Sequence, residues 1–314
     1  MINLRYHIVS IVAVFLALGI GVVMGSTVID RVTVDTLNAR VNSVERSVRA
    51  AETENRRIND QLQTVHDFAD QARDQIARGH LKDVPVLVMA VQGIDRKPVD
   101  SLRDVLGTAQ ASLEGTLWFT PKMRLANDGD TRALAAAAGI TLEHPDHPDA
   151  NVVRAAAMSR VVAGLSGNGE PNLLPALSAA GFLAYEAAPT QTGSPESALA
   201  ALPVPGMRVV LVSGAGAGVS DDVVALPLAR SLAQSSTRLV AAEAGQDTPG
   251  GRGVFVGLLR NDGNVAPRIS TVDDLESPMG QAATVLAVEE LAGSRTGHFG
   301  VGPGAERLLP ASQS

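Results

Sequence analysis

From Val34 to Ile76 the chain repeats every seven residues. Val34, Val41, Val48, Asn55, Leu62, Ala69 and Ile76 make one set, and Leu37, Val44, Ala51, Ile58, Val65 and Ala72 follow each by three. All but Asn55 are apolar, and no Gly or Pro interrupts the run. A strict heptad keeps one narrow stripe turned toward a partner helix, so the spacing predicts a coiled coil. An amphipathic helix packed on its own domain would need a wider stripe. Val at the early first-set (a) positions favours two parallel strands, and Asn55 at such a position would fix register against its symmetry mate. Arg40 and Glu45 would meet across that homodimer. Ala51, Ala69 and Ala72 thin the seam, which suits weak or regulated pairing.

The residues ahead of the repeat constrain it further. Residues 1–7 are a short polar start holding Arg5 and His7, and Ile8 to Val23 is apolar apart from Ser10 and two glycines. With its flanks, residues 8–27, this run reaches the roughly 20 residues that cross a bilayer as one helix. Arg5 on one side places the N-terminus in the cytoplasm and the rest outside the cytoplasmic membrane. A cleaved leader ending before Ser26 is the alternative; the length of the run and the rod that comes directly after it favour an anchor. Gly21 and Gly25 have the spacing that lets two membrane helices approach. Two rods tethered by their N-termini in one membrane must run parallel, in agreement with the seam. A helical coiled-coil segment over 28–79 holds the rest of the chain tens of ångströms from the lipid, since the repeat alone spans about 65 Å. Arg78 and Gly79 mark its end.

Beyond residue 82 the period changes. Apolar runs at 84–91, 117–119, 183–185, 208–213, 239–242 and 254–258 read as strands, and Ala-rich segments at 99–106, 131–138, 150–163, 173–180, 222–234 and 280–291 read as helices. Alternation of this kind predicts an α/β domain over 82–300 with a mainly parallel sheet covered on both faces, then a flexible tail over 301–314.

Few residues advertise chemistry. The net charge is −7 and no Lys/Arg run exceeds two, so there is no nucleic-acid footprint. Cysteine is absent, which removes disulfides and thiolate metal sites. Gly214, Gly216 and Gly218 follow a strand and Glu243 ends the next, mimicking a dinucleotide fingerprint. However, Val219 stands where the third glycine belongs, and Asp221 and Asp222 would repel a pyrophosphate. His144 and His147 sit in a Pro-rich loop and, with His298, are weak metal candidates; the methionines are scattered. No nucleophile elbow, Walker loop or paired-carboxylate motif occurs, so no enzyme is expected. Ser270, Thr271, Asp273 and Asp274, together with His298 and Phe299, flank the last helix and are expected to form a recognition surface at one end of the sheet.

The start Met1-Ile-Asn-Leu-Arg5-Tyr-His7, the heptad rod, the segment Ile269 to Asp274 and Gly297-His-Phe-Gly300 together resemble the mycobacterial copper-transport-protein B (MctB) family, also described as SteB-like, over essentially the whole chain. That resemblance implies an envelope location and either of two roles. The first is a partner-binding role in actinobacterial cell separation, with a SteA-like protein or the coiled coil of a peptidoglycan hydrolase as partner. The second is a part in copper transport, with copper the only metal implied. One apolar helix supplies neither a multi-helix pore nor a closed barrel. The reading from the sequence is therefore a non-enzymatic, dimeric, membrane-anchored envelope protein that regulates partners, with a copper-homeostasis component as the alternative.

Overall fold

A computed structural model describes residues 4–170, 172–189, 191, 193–235, 237–245 and 254–311, without the side chains of 4 and 26–34. The start at residues 1–3 and the side chains of Ser26 and Val34 thus lie outside the described residues. Two compact units result, Met1–His66 and Asp67–Ser314.

The first unit is helical throughout its described length. Helix α1, Leu4–Ala77, takes in both the apolar run and the heptads. Among the described residues, Arg5–Gly25 is the one helical segment long and apolar enough to cross a membrane, with a mean hydropathy of 2.7. Its side chains stand exposed, Phe15 and Leu16 included. So much contiguous apolar surface calls for lipid or protein to cover it.

The second unit is a mixed α/β domain. Its described sheet has seven strands in the order β3-β2-β1-β4-β5-β6-β7. They are β1 (Pro85–Val91), β2 (Ser112–Phe119), β3 (Leu183–Glu186), β4 (Arg208–Gly214), β5 (Arg238–Ala244), β6 (Ser270–Val272) and β7 (His298–Phe299). All neighbours are parallel except β3, which runs antiparallel on the outside of β2. Successive side chains of a strand point to opposite faces. Leu87, Met89 and Val91 accordingly enter one core, with Leu211 and Leu239. Val86, Val88 and Ala90 enter the other, with Val210 and Val240. This is why the central strands read as unbroken apolar runs.

Helices α3 (Asp128–Ala137), α4 (Ala150–Leu165), α5 (Leu173–Ala179), α6 (Pro195–Ala200), α7 (Ala225–Gln234) and α8 (Val254–Arg260) supply the first core. Helices α2 (Arg96–Thr108) and α9 (Pro278–Glu290) supply the second, joined by Ala77 at the end of α1 and by Leu81. Nearly all of α9 is buried. Arg73 Nη1 donates to Gln281 Oε1 at 2.9 Å, and His80 meets Glu289 at 2.8 Å. Ala69, Ala72 and Ile76, the last seam residues, are half-buried.

Two expectations need correction. The run at 254–258 is not a strand but helix α8. Its buried residues, Phe255, Val256 and Leu259, are spaced for one side of a helix, an ambiguity inherent in short apolar runs. Residues 301–310 do not trail away as a tail. Gly300 N donates to Arg307 O at 3.0 Å, Glu306 N donates to His298 O at 2.8 Å, and Pro310 is buried.

The strand order reverses between β1 and β4, the place where open parallel sheets commonly bind ligands. Here the two loops lock together instead. Gly218 N donates to Gln92 O at 2.5 Å. Gly93 has φ +103°, and a Cβ on it would lie 2.5 Å from Gly218 N and 2.6 Å from Gly216 O. Gly93→Ala is therefore expected to force the two loops apart and cost about 1–3 kcal/mol. Thermal unfolding of the full-length protein checks this.

Candidate functional site

Three groups of residues bear on function, and the structure treats them differently.

Along α1 the heptad positions from Leu37 to Val65 remain on the surface. Leu37, Val44 and Val65 are 61–63 % exposed, and Val41, Val48, Ile58 and Leu62 are exposed as well. Ala51 and Asn55 share this exposure. The charged residues beside them pair within the helix. Arg57 Nη2 and Glu54 Oε1 are 2.5 Å apart, and Arg49 Nη2 lies 3.4 Å from Glu45. Glu45, expected to meet Arg40 across a dimer, thus has a partner in its own helix. A stripe this long and apolar lacks the buried contacts that normally stabilise an amphipathic helix.

The glycine-rich turn after β4 is the second group. Ser213 is fully buried and its Oγ donates to Asp221 Oδ1 at 2.5 Å. Burial pushes the Asp221 carboxyl above its usual range, and the Ser213 hydrogen bond opposes this only in part. Beside Ser213 in register stands Glu243. Its carboxylate accepts from Val254 N at 3.1 Å and Val256 N at 2.9 Å, closing the first turn of α8. Burial raises the Glu243 pKa too, more than these amides lower it. The glycines here serve close approach of one backbone to another, and the acids cap and brace loops. The dinucleotide likeness ends at the spelling.

The third group is the expected recognition surface, and it proves internal. Ser270, Thr271, Asp273 and Phe299 are fully buried, with Asp274 and His298 half-buried. What gathers them is Arg260, at the end of α8. Its Nη1 donates to Asp273 Oδ2 at 2.5 Å, with side chains 2 % and 0 % exposed. Its Nε donates to Thr271 Oγ1 at 2.8 Å and its Nη2 to Phe299 O at 2.8 Å. Asp273 also accepts from Val301 N at 2.8 Å and Gly302 N at 2.9 Å. Gly300, φ +125°, makes the intervening turn; a Cβ there would overlap the Asp273 carboxylate. His298 Nδ1 lies 3.0 Å from Thr271 Oγ1, and burial lowers the imidazole pKa. Arg260 carries no sequence signal of its own, being one Arg after an apolar run.

The metal candidates do not converge. His147 is almost wholly exposed, 3.6 Å from Asp128, and His144 is exposed in the same loop. Among the described residues no three His, Asp or Glu are grouped as a metal site.

The buried acids set two expected outcomes. Asp273→Ala leaves Arg260 charged and unpaired in the interior, an expected loss of about 3–5 kcal/mol. Arg260→Met combined with Asp273→Leu is expected to cost less than Asp273→Ala alone, measured by thermal unfolding. Asp221 has a raised folded pKa, so its contribution favours folding at acid pH and is lost as pH rises through that value. Asp221→Asn is accordingly expected to raise the melting temperature near neutral pH, with the gain vanishing below the ordinary Asp range.

The family described as "Copper transport outer membrane protein, MctB" matches residues 1–310. The protein named copper transporter MctB in Mycobacterium tuberculosis is 26 % identical, over 97 % of this chain and 98 % of its own length. The protein of the same name in Mycobacterium leprae is also 26 % identical, over 98 % and 99 %.

Proposed function

Because the chain belongs to the MctB family, we propose that it serves copper transport or homeostasis in the cell envelope, as a non-enzymatic component that works in pairs. The observation that carries this reading is helix α1, in which an apolar segment of spanning length is followed by a long, uncovered heptad stripe. Lipid covers the first and a second copy covers the other, joined in parallel as a coiled coil. Arg5 sets the N-terminus inside and the α/β domain outside.

Copper is the cargo in this reading. The described sheet has helices over both faces, so it is not a lipid-facing barrel, and one spanning helix per chain encloses no path. Passage therefore belongs to an assembly, in which this chain anchors and positions. The role in cell separation draws nothing from these relatives, whose names speak of copper. A narrower version of it has one observation in its favour. The seam is thin at Ala51, which would admit a helix of another envelope protein, such as a SteA-like protein or a hydrolase coiled coil.

The test uses the full-length, detergent-extracted protein and cells lacking it. Val48→Glu with Leu62→Glu is expected to convert dimers to monomers by light scattering. The same variant is expected to leave the cells as copper-sensitive as those without the protein, while wild type restores growth. Monomeric wild-type protein, or full restoration by the variant, defeats the reading. Asn55→Val is expected to keep pairing but broaden it to other oligomers.

A further inference from the structure

At the amino end of the sheet, opposite Asp273, the strands begin with arginine. Arg238 opens β5, and Arg268 lies two residues before β6. Both are exposed, and among the described residues neither guanidinium group makes a hydrogen bond or ion pair. They line one groove of about 450 Å³ with Ser235, Thr237, Ser294 and Thr296, and no Asp or Glu contributes to that lining. A second groove of about 410 Å³ adjoins it, sharing Thr237 and Arg238.

Arg208, the register partner of Arg238 on β4, adds a third positive charge close by. It is buried, donates through Nη1 to Val288 O at 2.6 Å, and keeps an Nε with no hydrogen bond. Burial first and Arg238 second push its pKa down, opposed in part by Glu289. Several other arginines of the domain are paired with acids, among them Arg230 with Asp262, Arg103 with Glu186 and Arg260 with Asp273. In a chain of net charge −7, a concave site lined by two uncommitted guanidinium groups and, among its described residues, no acid is a local concentration of positive charge. An exposed Arg fork gains most from a planar or tetrahedral oxyanion, which takes two parallel N–H bonds. The volume suits a small molecule.

We propose that this groove binds a phosphate-bearing ligand, with Arg238 and Arg268 gripping the phosphate and the Ser294 hydroxyl as an added donor. The site is independent of the seam and of copper. Inorganic pyrophosphate is the probe, titrated calorimetrically into the full-length protein in an uncharged detergent at fixed ionic strength. Saturable one-to-one binding is expected, weakened at least about tenfold by Arg238→Ala with Arg268→Ala, a loss of about 1.4 kcal/mol. The paired Lys variants are expected to recover part of it, since charge survives but the fork does not. Both residues are exposed, so the melting temperature without ligand should not change. Competition then separates the sources: displacement by glucose 6-phosphate indicates a soluble ester, and displacement by vesicles carrying phosphatidic acid a lipid headgroup. No saturable binding, equal binding by the Ala pair, or displacement by neither competitor overturns the assignment.

Discussion

A parallel sheet has no face to spare for water, and that constraint governs the second unit. Its central strands β1, β4 and β5 bury nearly every side chain, the exceptions lying at their ends, so both faces must be roofed by helices. The roof over one face is assembled from α2, α9 and the last turns of α1. The helix that carries the apolar segment thus ends as a structural part of the domain, through Ala77 and the Arg73–Gln281 bond.

The same accounting, applied to α1 itself, leaves a large remainder. Apolar residues that face no core in one copy of the chain represent free energy not yet gained. In the domain the apolar residues find one another; along most of α1 they do not. That contrast is the reason we propose association as the seat of function.

The sequence made some of this legible and hid the rest for physical reasons. Central strands such as 208–213 were plain, because double-sided burial leaves an uninterrupted apolar run. Two helix caps carry a signal as local as that one, although the sequence reading did not single them out: Ser277 before Pro278 and Asp149 before α4 both bond their first-turn amides. The short strand β6 and the edge strand β7 were not plain, because Ser270, Thr271 and His298 hold polar atoms that sequence patterns assign to the surface. Their burial is made possible by Arg260, a contact reaching across the fold that no local window contains. The run at 254–258 misled for the opposite reason, being short enough to suit either period. The heptad stripe was readable because its code is local, and its positions from Leu37 to Val65 stand exposed along α1. The arginines at the amino end of the sheet are far apart in the chain, and only strand register brings Arg208 and Arg238 side by side.

The turn at Gly300 makes three stretches of chain depend on one another. Amides from residues 301 and 302 add two bonds to a carboxylate that Arg260 already holds in the interior. Taking those amides away would remove two of its acceptor bonds where no water can readily replace them. The far edge of the sheet therefore closes as one cooperative piece, drawn from the end of α8, the end of β6 and the turn after β7.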